Sequence, residues 1–234
     1  MMSDSLKGMK KVLVISAHPD DEVLGMGGTI AKLTAAGCDV QLLIVTDGSS
    51  SQYSNSEDLM AIISHKKEET KKSSDILGIK SIRYGGLPDM RLDCTPHVEI
   101  NKVIESAVDD FQPDTIFTHF WGDVNVDHQN VYKSTLVAVR PIFGQVVKEL
   151  YCYSVPSSTE WTPNKSETMF MPNVFVNIEM FMEKKYEAFS KYTTELREYP
   201  HPRSVQYLRE TDKAVGLRVG LFAAEEFVLL RMIN

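Results

Sequence analysis

The chain has 234 residues, 43% of them hydrophobic and 24% charged, a balance that suits a folded protein with a sizeable core and leaves no case for global disorder. Its net charge of -7, from 25 basic and 32 acidic residues, argues against the basic face that nucleic-acid phosphates need. Three widely spaced cysteines, Cys38, Cys94 and Cys152, make neither a disulfide framework nor a CxxC pair, and point to a reducing, cytoplasmic compartment.

Val12 to Ser16 is a short β-branched run after Lys10-Lys11 and reads as a buried strand. It is too short for a signal-peptide core, and no apolar stretch approaches the ~20 residues of a membrane span. The segment Gly25-Met26-Gly27-Gly28 precedes a helix expected over Thr29 to Ala36, which Gly37 ends. Val40 to Val45 is a second buried strand, and Ser49 to Ser56 a polar loop. Leu59 to Leu77 reads as an amphipathic helix closed by Gly78, with Lys66-Lys67 and Lys71-Lys72 interleaved with acids as a solvated face. Strands follow at Ser81 to Tyr84, Thr115 to His119 and Glu149 to Val155. Helices are expected at Pro96 to Phe111 and Asp127 to Val139. The stretch from Pro156 to Asn173 is a long loop rich in Ser, Thr, Pro and Asn, of the kind that often carries function. Val174 to Ile178 reads as an edge strand and Phe181 to Tyr199 as a helix. Pro200-His201-Pro202 breaks that helix, and Val205 to Leu230 is mainly helical. The alternation predicts an α/β fold, a mostly parallel sheet flanked by helices with a C-terminal helical extension. With no repeat and no linker, residues 1–234 read as one domain.

The densest chemical signal is Ala17-His18-Pro19-Asp20-Asp21-Glu22, directly after the first strand. In open α/β sheets, ligands bind outside the carboxyl ends of the strands. Clustered carboxylates repel unless a cation or hydrogen bonds offset them. Imidazole and carboxylate are ligands that Zn2+ accepts, and Pro19 stiffens the turn that presents them. The competing reading is that Asp20 or Asp21 only caps the next helix. A catalytic zinc site takes three protein ligands, so a third is expected from another strand end. The second signal, Thr118 to His128, follows a strand and opens a helix. His128 is placed to reach back to the first motif, and Asp127 to orient a ring or cap the helix.

These two stretches resemble the signatures of the PIG-L/LmbE-like family of zinc-dependent N-deacetylases. Weaker likeness continues at Val155 to Trp161, Pro172 to Phe175, Pro200 to Ser204 and Ala224 to Phe227, so it spans nearly the whole chain. The resemblance implies a Rossmann-like fold, His18, Asp21 and His128 as zinc ligands, and Asp20 as general base. Similar ligand sets also take Fe2+. It implies a small-molecule substrate, an N-acetylated sugar or sugar conjugate, as in glycan or natural-product biosynthesis.

Two positions depart from the family pattern. Many members carry a His three residues before the last zinc ligand, where this chain has Asn125, which donates hydrogen bonds but carries no proton. Either Asp20 then serves as base and acid, or His201, held between two prolines, supplies the acid. Many members also place a Glu after the second strand, where this chain has Ser49-Ser50-Ser51-Gln52-Tyr53 as hydroxyl donors to a sugar or phosphate. Gly85 to Arg91 resembles a cleft-lining segment, with Asp89 as acceptor for sugar hydroxyls. Arg91 or Arg203 is a candidate to grip a phosphate bidentately, and Asn125 a further substrate contact. His119 reads as a supporting or buried structural residue near the site, while His65 and His97 get no role. Gly25, Gly27 and Gly28 do not form a dinucleotide fingerprint. The competing functions are an amidase for a larger acyl group or sugar-thiol conjugate, and a sugar- or nucleotide-binding module with a relict metal site. Assembly into a homo-oligomer is left open.

Overall fold

In the computed structural model, which describes residue 6 and residues 8–49, 56–163 and 165–234, seven strands form one sheet. Five run parallel: β1 (Lys11–Ser16), β2 (Asp39–Thr46), β3 (Ser81–Leu87), β4 (Thr115–His119) and β5 (Glu149–Tyr153). The edge strand β6 (Val174–Asn177) and the last strand, β7 (Ala224–Met232), complete the order β3-β2-β1-β4-β5-β7-β6, with β7 antiparallel to both of its neighbours. The helices are α1 (Asp21–Ala35), α2 (Ser56–Leu77), α3 (His97–Phe111), α4 (Val126–Ala138), α5 (Met182–Phe189) and α6 (Val205–Arg218). None is long and apolar enough to cross a membrane among the described residues.

The apolar runs of β1 and β2 are continuous because both faces of the sheet are covered. Val12, Val14, Val40, Leu42 and Ile44 join the core beneath α1 and α5. Their alternates Leu13, Ile15, Leu43 and Val45 join the core beneath α3 and α4. The chain leaves β1 for α1 on one face and leaves neighbouring β4 for α4 on the other. The crevice at the carboxyl ends of β1 and β4 is the topological switch point.

Three segments differ from expectation. The glycine segment is not a connector, since α1 already begins at Asp21. Met26 (φ -153°) kinks the helix there, and the amides of Gly28 and Thr29 donate to the Glu225 carboxylate at 2.9 and 2.6 Å. A Cβ at Gly25 would lie 2.4 Å from the Tyr153 ring, so only glycine permits this approach of α1 to β5. The helix expected to reach Tyr199 stops at Phe189. Beyond it, Tyr192 donates to Glu22 at 2.5 Å, and Thr193 and Thr194 bond the Glu69 carboxylate, bonds that compete with helix continuation. The helix expected to reach Leu230 stops at Arg218, and Ala224–Met232 is strand β7. Its Ala, Glu and Leu are good helix formers, but the open edge of β5 overrides that preference.

Lys185 neutralises Glu225 at 2.9 Å and Asp212 at 2.8 Å in the same buried cluster. Glu225→Ala therefore removes two amide acceptors and unbalances a buried lysine. The expected loss is about 3–5 kcal/mol of unfolding free energy, read from urea melts.

Candidate functional site

Between β1 and α1 the backbone turns sharply at Asp20, whose φ of +107° lies where only glycine is at ease. Such strain persists when the surroundings enforce it, and it clusters at functional sites. The Asp20 carbonyl starts the helix by accepting from Val23 and Leu24, while its side chain makes no capping bond. Its Oδ2 is buried without a hydrogen-bond partner, 3.8 Å from the Arg203 guanidinium. Burial raises this carboxyl well above the usual range, against the pull of Arg203.

Asp21 turns the other way. Its Oδ2 accepts the His18 amide at 2.8 Å and lies 3.5 Å from His18 Nδ1 and 3.4 Å from His128 Nε2. Those two nitrogens are 3.2 Å apart. A tetrahedral ion with bonds of about 2.0–2.2 Å spaces its ligand atoms about 3.3–3.6 Å apart, so the three atoms are spaced as one face of such a tetrahedron. Their second atoms are tied back. His18 Nε2 donates to Asp127 Oδ2 at 3.1 Å, and Asp127 also accepts the Leu92 amide at 3.0 Å. His128 Nδ1 donates to Asp123 Oδ2 at 3.0 Å. Asp123 is held by the Ser158 hydroxyl, the Thr159 hydroxyl at 2.6 Å and the Asn125 amide at 2.7 Å. In the neutral rings these bonds hold the proton on the far nitrogen and would turn the converging one, as a lone pair, toward a bound cation.

The fixed charges favour a cation at that point. Although burial opposes it, Asp127 and Asp21 push the His18 ring up to about 10. Burial likewise opposes, and Asp21 and Asp123 raise, His128 to about 9. Despite its burial, Asp21 is held well below the usual carboxylate range by His128 and His119. His119 is buried, stacks on His128 with ring centroids 3.9 Å apart, and accepts the Ala17 amide at 2.8 Å. Burial lowers it to about 4, so it stands behind the site as a neutral ring.

Two cavities open on these groups. One of about 80 Å3 is lined by His18, Asp20, Asp89, Lys66 and Arg203 among others. The other, about 350 Å3, is lined by His128, Asp93, Ser158 and Trp161, and shares Met90, Asn125 and Arg203 with the first. Asp89 lies 3.5 Å from His18 Nε2. Asn125 caps α4 by accepting the Asp127 amide at 2.9 Å, and its Nδ2 donates to Met90 sulfur at 3.6 Å.

Other expectations fare differently. Arg203 lines both cavities and donates through Nη1 to Glu195 at 2.6 Å and through Nε to Ser157 at 2.9 Å. Arg91 is exposed and lines neither cavity. His201 also lines neither: its Nδ1 accepts the Arg203 amide at 3.0 Å and its ring stands edge-on to Trp161 at 6.4 Å. The turn folds that imidazole onto its own backbone. Lys66 is buried, not solvated, and donates to Glu195 and to the Gly48 carbonyl, each at 2.7 Å. Of the polar segment after Gly48, residues 50–55 lie outside the described residues. Sequence reasoning missed Asp123, Ser158 and Thr159 as the support of His128, and Lys66 and Glu195 as the support of Arg203. Asp123 stood inside the second motif and Ser158 and Thr159 inside the Val155 to Trp161 stretch of weaker likeness, while nothing local marks Lys66 and Glu195.

The family described as PIG-L, GlcNAc-PI de-N-acetylase, matches residues 13–139. A diacetylchitobiose deacetylase of Thermococcus kodakarensis is 30% identical over 206 residues, covering 84% of this chain and 74% of that one. The structure of N,N'-diacetylchitobiose deacetylase from Pyrococcus horikoshii, complexed with its inhibitor MPG, superposes with a TM-score of 0.79 at 23% identity, over 99% of this chain and 87% of that one. GalB, the 4-carboxy-2-hydroxymuconate hydratase of Pseudomonas putida KT2440, superposes with a TM-score of 0.75 at 18% identity, over 97% and 98% of the two chains. The fold is thus shared with an enzyme of different chemistry.

The hydrogen bonds around His128 generate a prediction of their own. Asp123→Ala frees the imidazole to change tautomer and releases Ser158 and Thr159. The affinity for an added divalent cation should fall about 10–100-fold, measured by competition with a chelating dye.

Proposed function

The chain belongs to the PIG-L family of de-N-acetylases, and on that premise we propose that it is a zinc-dependent hydrolase removing the acetyl group from an N-acetylated amino sugar or sugar conjugate. The observation that carries this reading is the triangle of His18 Nδ1, Asp21 Oδ2 and His128 Nε2, with sides of 3.2, 3.4 and 3.5 Å, beside Asp20, whose buried Oδ2 has no hydrogen-bond partner. His18, Asp21 and His128 would hold the metal. The same donors accept Fe2+, and availability decides between the two.

Bound there, the metal would act as a Lewis acid on the acetyl carbonyl and bring the pKa of water toward ~7. Asp20 takes the proton of the attacking water on its free oxygen and returns it to the amine nitrogen as the C–N bond breaks, so water and amide give acetate and amine. Arg203, tied to Glu195 and Ser157, stands by Asp20 and steadies its carboxylate. Asn125 presents its amide N–H to the cavity as a hydrogen-bond donor, and Asp89 is an acceptor for a sugar hydroxyl. The acid role goes to Asp20 because the His201 ring is turned toward Trp161. We take all 234 residues as one catalytic domain. The three free cysteines suit a reducing cytoplasm.

Acetate release from a panel of N-acetylated sugars, nucleotide sugars and glycosides, with and without chelator, tests the reaction. Release that chelator abolishes and zinc restores is expected; an inert, zinc-loaded protein would contradict it. Asp20→Asn should keep stoichiometric zinc and lose about 10²–10⁴ in kcat. Loss of the metal in that variant would reassign Asp20 as a ligand. His128→Ala should instead lower zinc affinity by orders of magnitude, read by metal analysis after dialysis.

A further inference from the structure

The site occupies the carboxyl ends of the strands, and a third cavity, of about 340 Å3, lies toward the opposite end of the sheet. Helix α4 starts beside the site and carries His128 in its first turn, and its 13 residues span about 20 Å. The cavity is lined by the last residues of that helix, Val137 and Ala138, by the C-terminal half of α3 and by the loop 140–146. It shares no residue with the two cavities at the site.

Beside this cavity the chain makes a tight turn. The Gln145 amide donates to the Ile142 carbonyl at 3.1 Å, and Gly144 takes φ +87°, the left-handed value needed at the third position of a type II turn. The base of the turn is tied down. Gln145 Nε2 donates to the Ala138 carbonyl at 3.3 Å, and its Oε1 accepts the Val147 amide at 3.0 Å. Turn tips favour Gly, Pro, Asn, Asp and Ser. Here the tip presents Phe143, 107% exposed, next to Ile142 at 67%. An aromatic ring has a large area to bury, and this one buries none of it within its own chain. A phenyl group so held, beside an open cavity, is a knob next to a hole.

Both signs of charge share the same patch. Glu105 and Asp109 line the cavity from successive turns of α3, near the negative end of that helix. Arg140 lines it too, its Nε donating to the Val137 carbonyl at 3.0 Å. Among the described residues no ion pair joins Arg140 to either acid. A partner carrying one sign of charge would satisfy the acids or the arginine and be repelled by the other. A surface with a knob, a hole, two acids and a cation together is instead complementary to itself under a two-fold rotation, the commonest symmetry of soluble assemblies.

We propose that this face is the interface of a two-fold dimer of the chain, with Phe143 of each protomer seated in its partner's cavity and Arg140 of each paired with the partner's Glu105 and the partner's Asp109. Each contact is thereby made twice. The dimer goes beyond the deacetylase reading and does not depend on it, and the crevices of both protomers stay open at the far ends of their sheets.

Sedimentation velocity over a concentration series tests the interface. The wild-type chain should pass from the mass of one chain to that of two. Phe143→Asp should keep the mass of one chain throughout. Because the ring touches no core, the urea midpoint of that variant should match wild type at low concentration, where both are monomers. Arg140→Glu should weaken dimerisation by more than about 10-fold, and adding Glu105→Lys and Asp109→Lys to it should recover most of the loss. A wild-type chain that stays monomeric at every concentration overturns the interface. So does a dimer whose affinity Phe143→Asp leaves unchanged, since its contact then lies elsewhere. An assembly larger than a dimer that Phe143→Asp dissolves overturns the two-fold arrangement.

Discussion

The structure is organised around a crowd of buried carboxylates. Asp20, Asp21, Glu22, Asp89, Asp123 and Asp127 are each at most 4% exposed and gather at the carboxyl ends of β1 and β4. Like charges so placed repel strongly where water does not screen them. The surrounding bonds answer that repulsion one acid at a time. Tyr192 donates to Glu22, whose carboxyl burial lifts to about 7. Ser158, Thr159 and a backbone amide hold Asp123, and the Leu92 amide holds Asp127. Arg203 faces Asp20 from 3.8 Å. What remains is directed at one point among Asp21, His18 and His128, where a divalent cation would balance it.

This constraint explains why the C-terminal third belongs with the site. The family match ends at residue 139, yet Tyr192, Glu195 and Arg203 come from the segment between α5 and α6. Lys66 braces Glu195, Glu195 braces Arg203, and Arg203 stands against Asp20. Glu225 of β7 meanwhile captures the two amides freed by the kink in α1, the helix that follows Asp20. The N-terminal motif is thus held in its strained turn by residues far along the chain. That arrangement offsets the cost of a non-glycine residue at φ +107°.

The fold alone does not choose the reaction, since a hydratase and a deacetylase share it at TM-scores of 0.75 and 0.79. The choice lies in side chains. Two imidazoles are tied to separate carboxylates, a third carboxylate completes their triangle, and a fourth, Asp20, keeps one buried oxygen without a hydrogen bond beside Arg203. The wider cavity adds Trp161, Asp93 and Arg203 to its lining.

Local sequence was enough to determine the parallel half of the sheet and the two polar stretches that meet at its switch point. Apolar runs such as Val12 to Ser16 have a single stable setting between two covered faces, and Thr115–His119 is a strand with the bounds expected. Where local preference and tertiary context disagreed, context decided. Helix formers in Ala224–Met232 became a strand because β5 had an open edge, and the glycine segment is helical where Gly25 packs against Tyr153 and Gly28 against Ile178. The pairings of Lys66 with Glu195 and of His201 with Trp161 had no local signature. Each joins or orients side chains by packing of loops onto the crevice, and that proximity exists only once the chain has folded. Residue type and spacing determine which groups are available for chemistry; the tertiary structure decides which are held, which are neutralised and which one is left free to react.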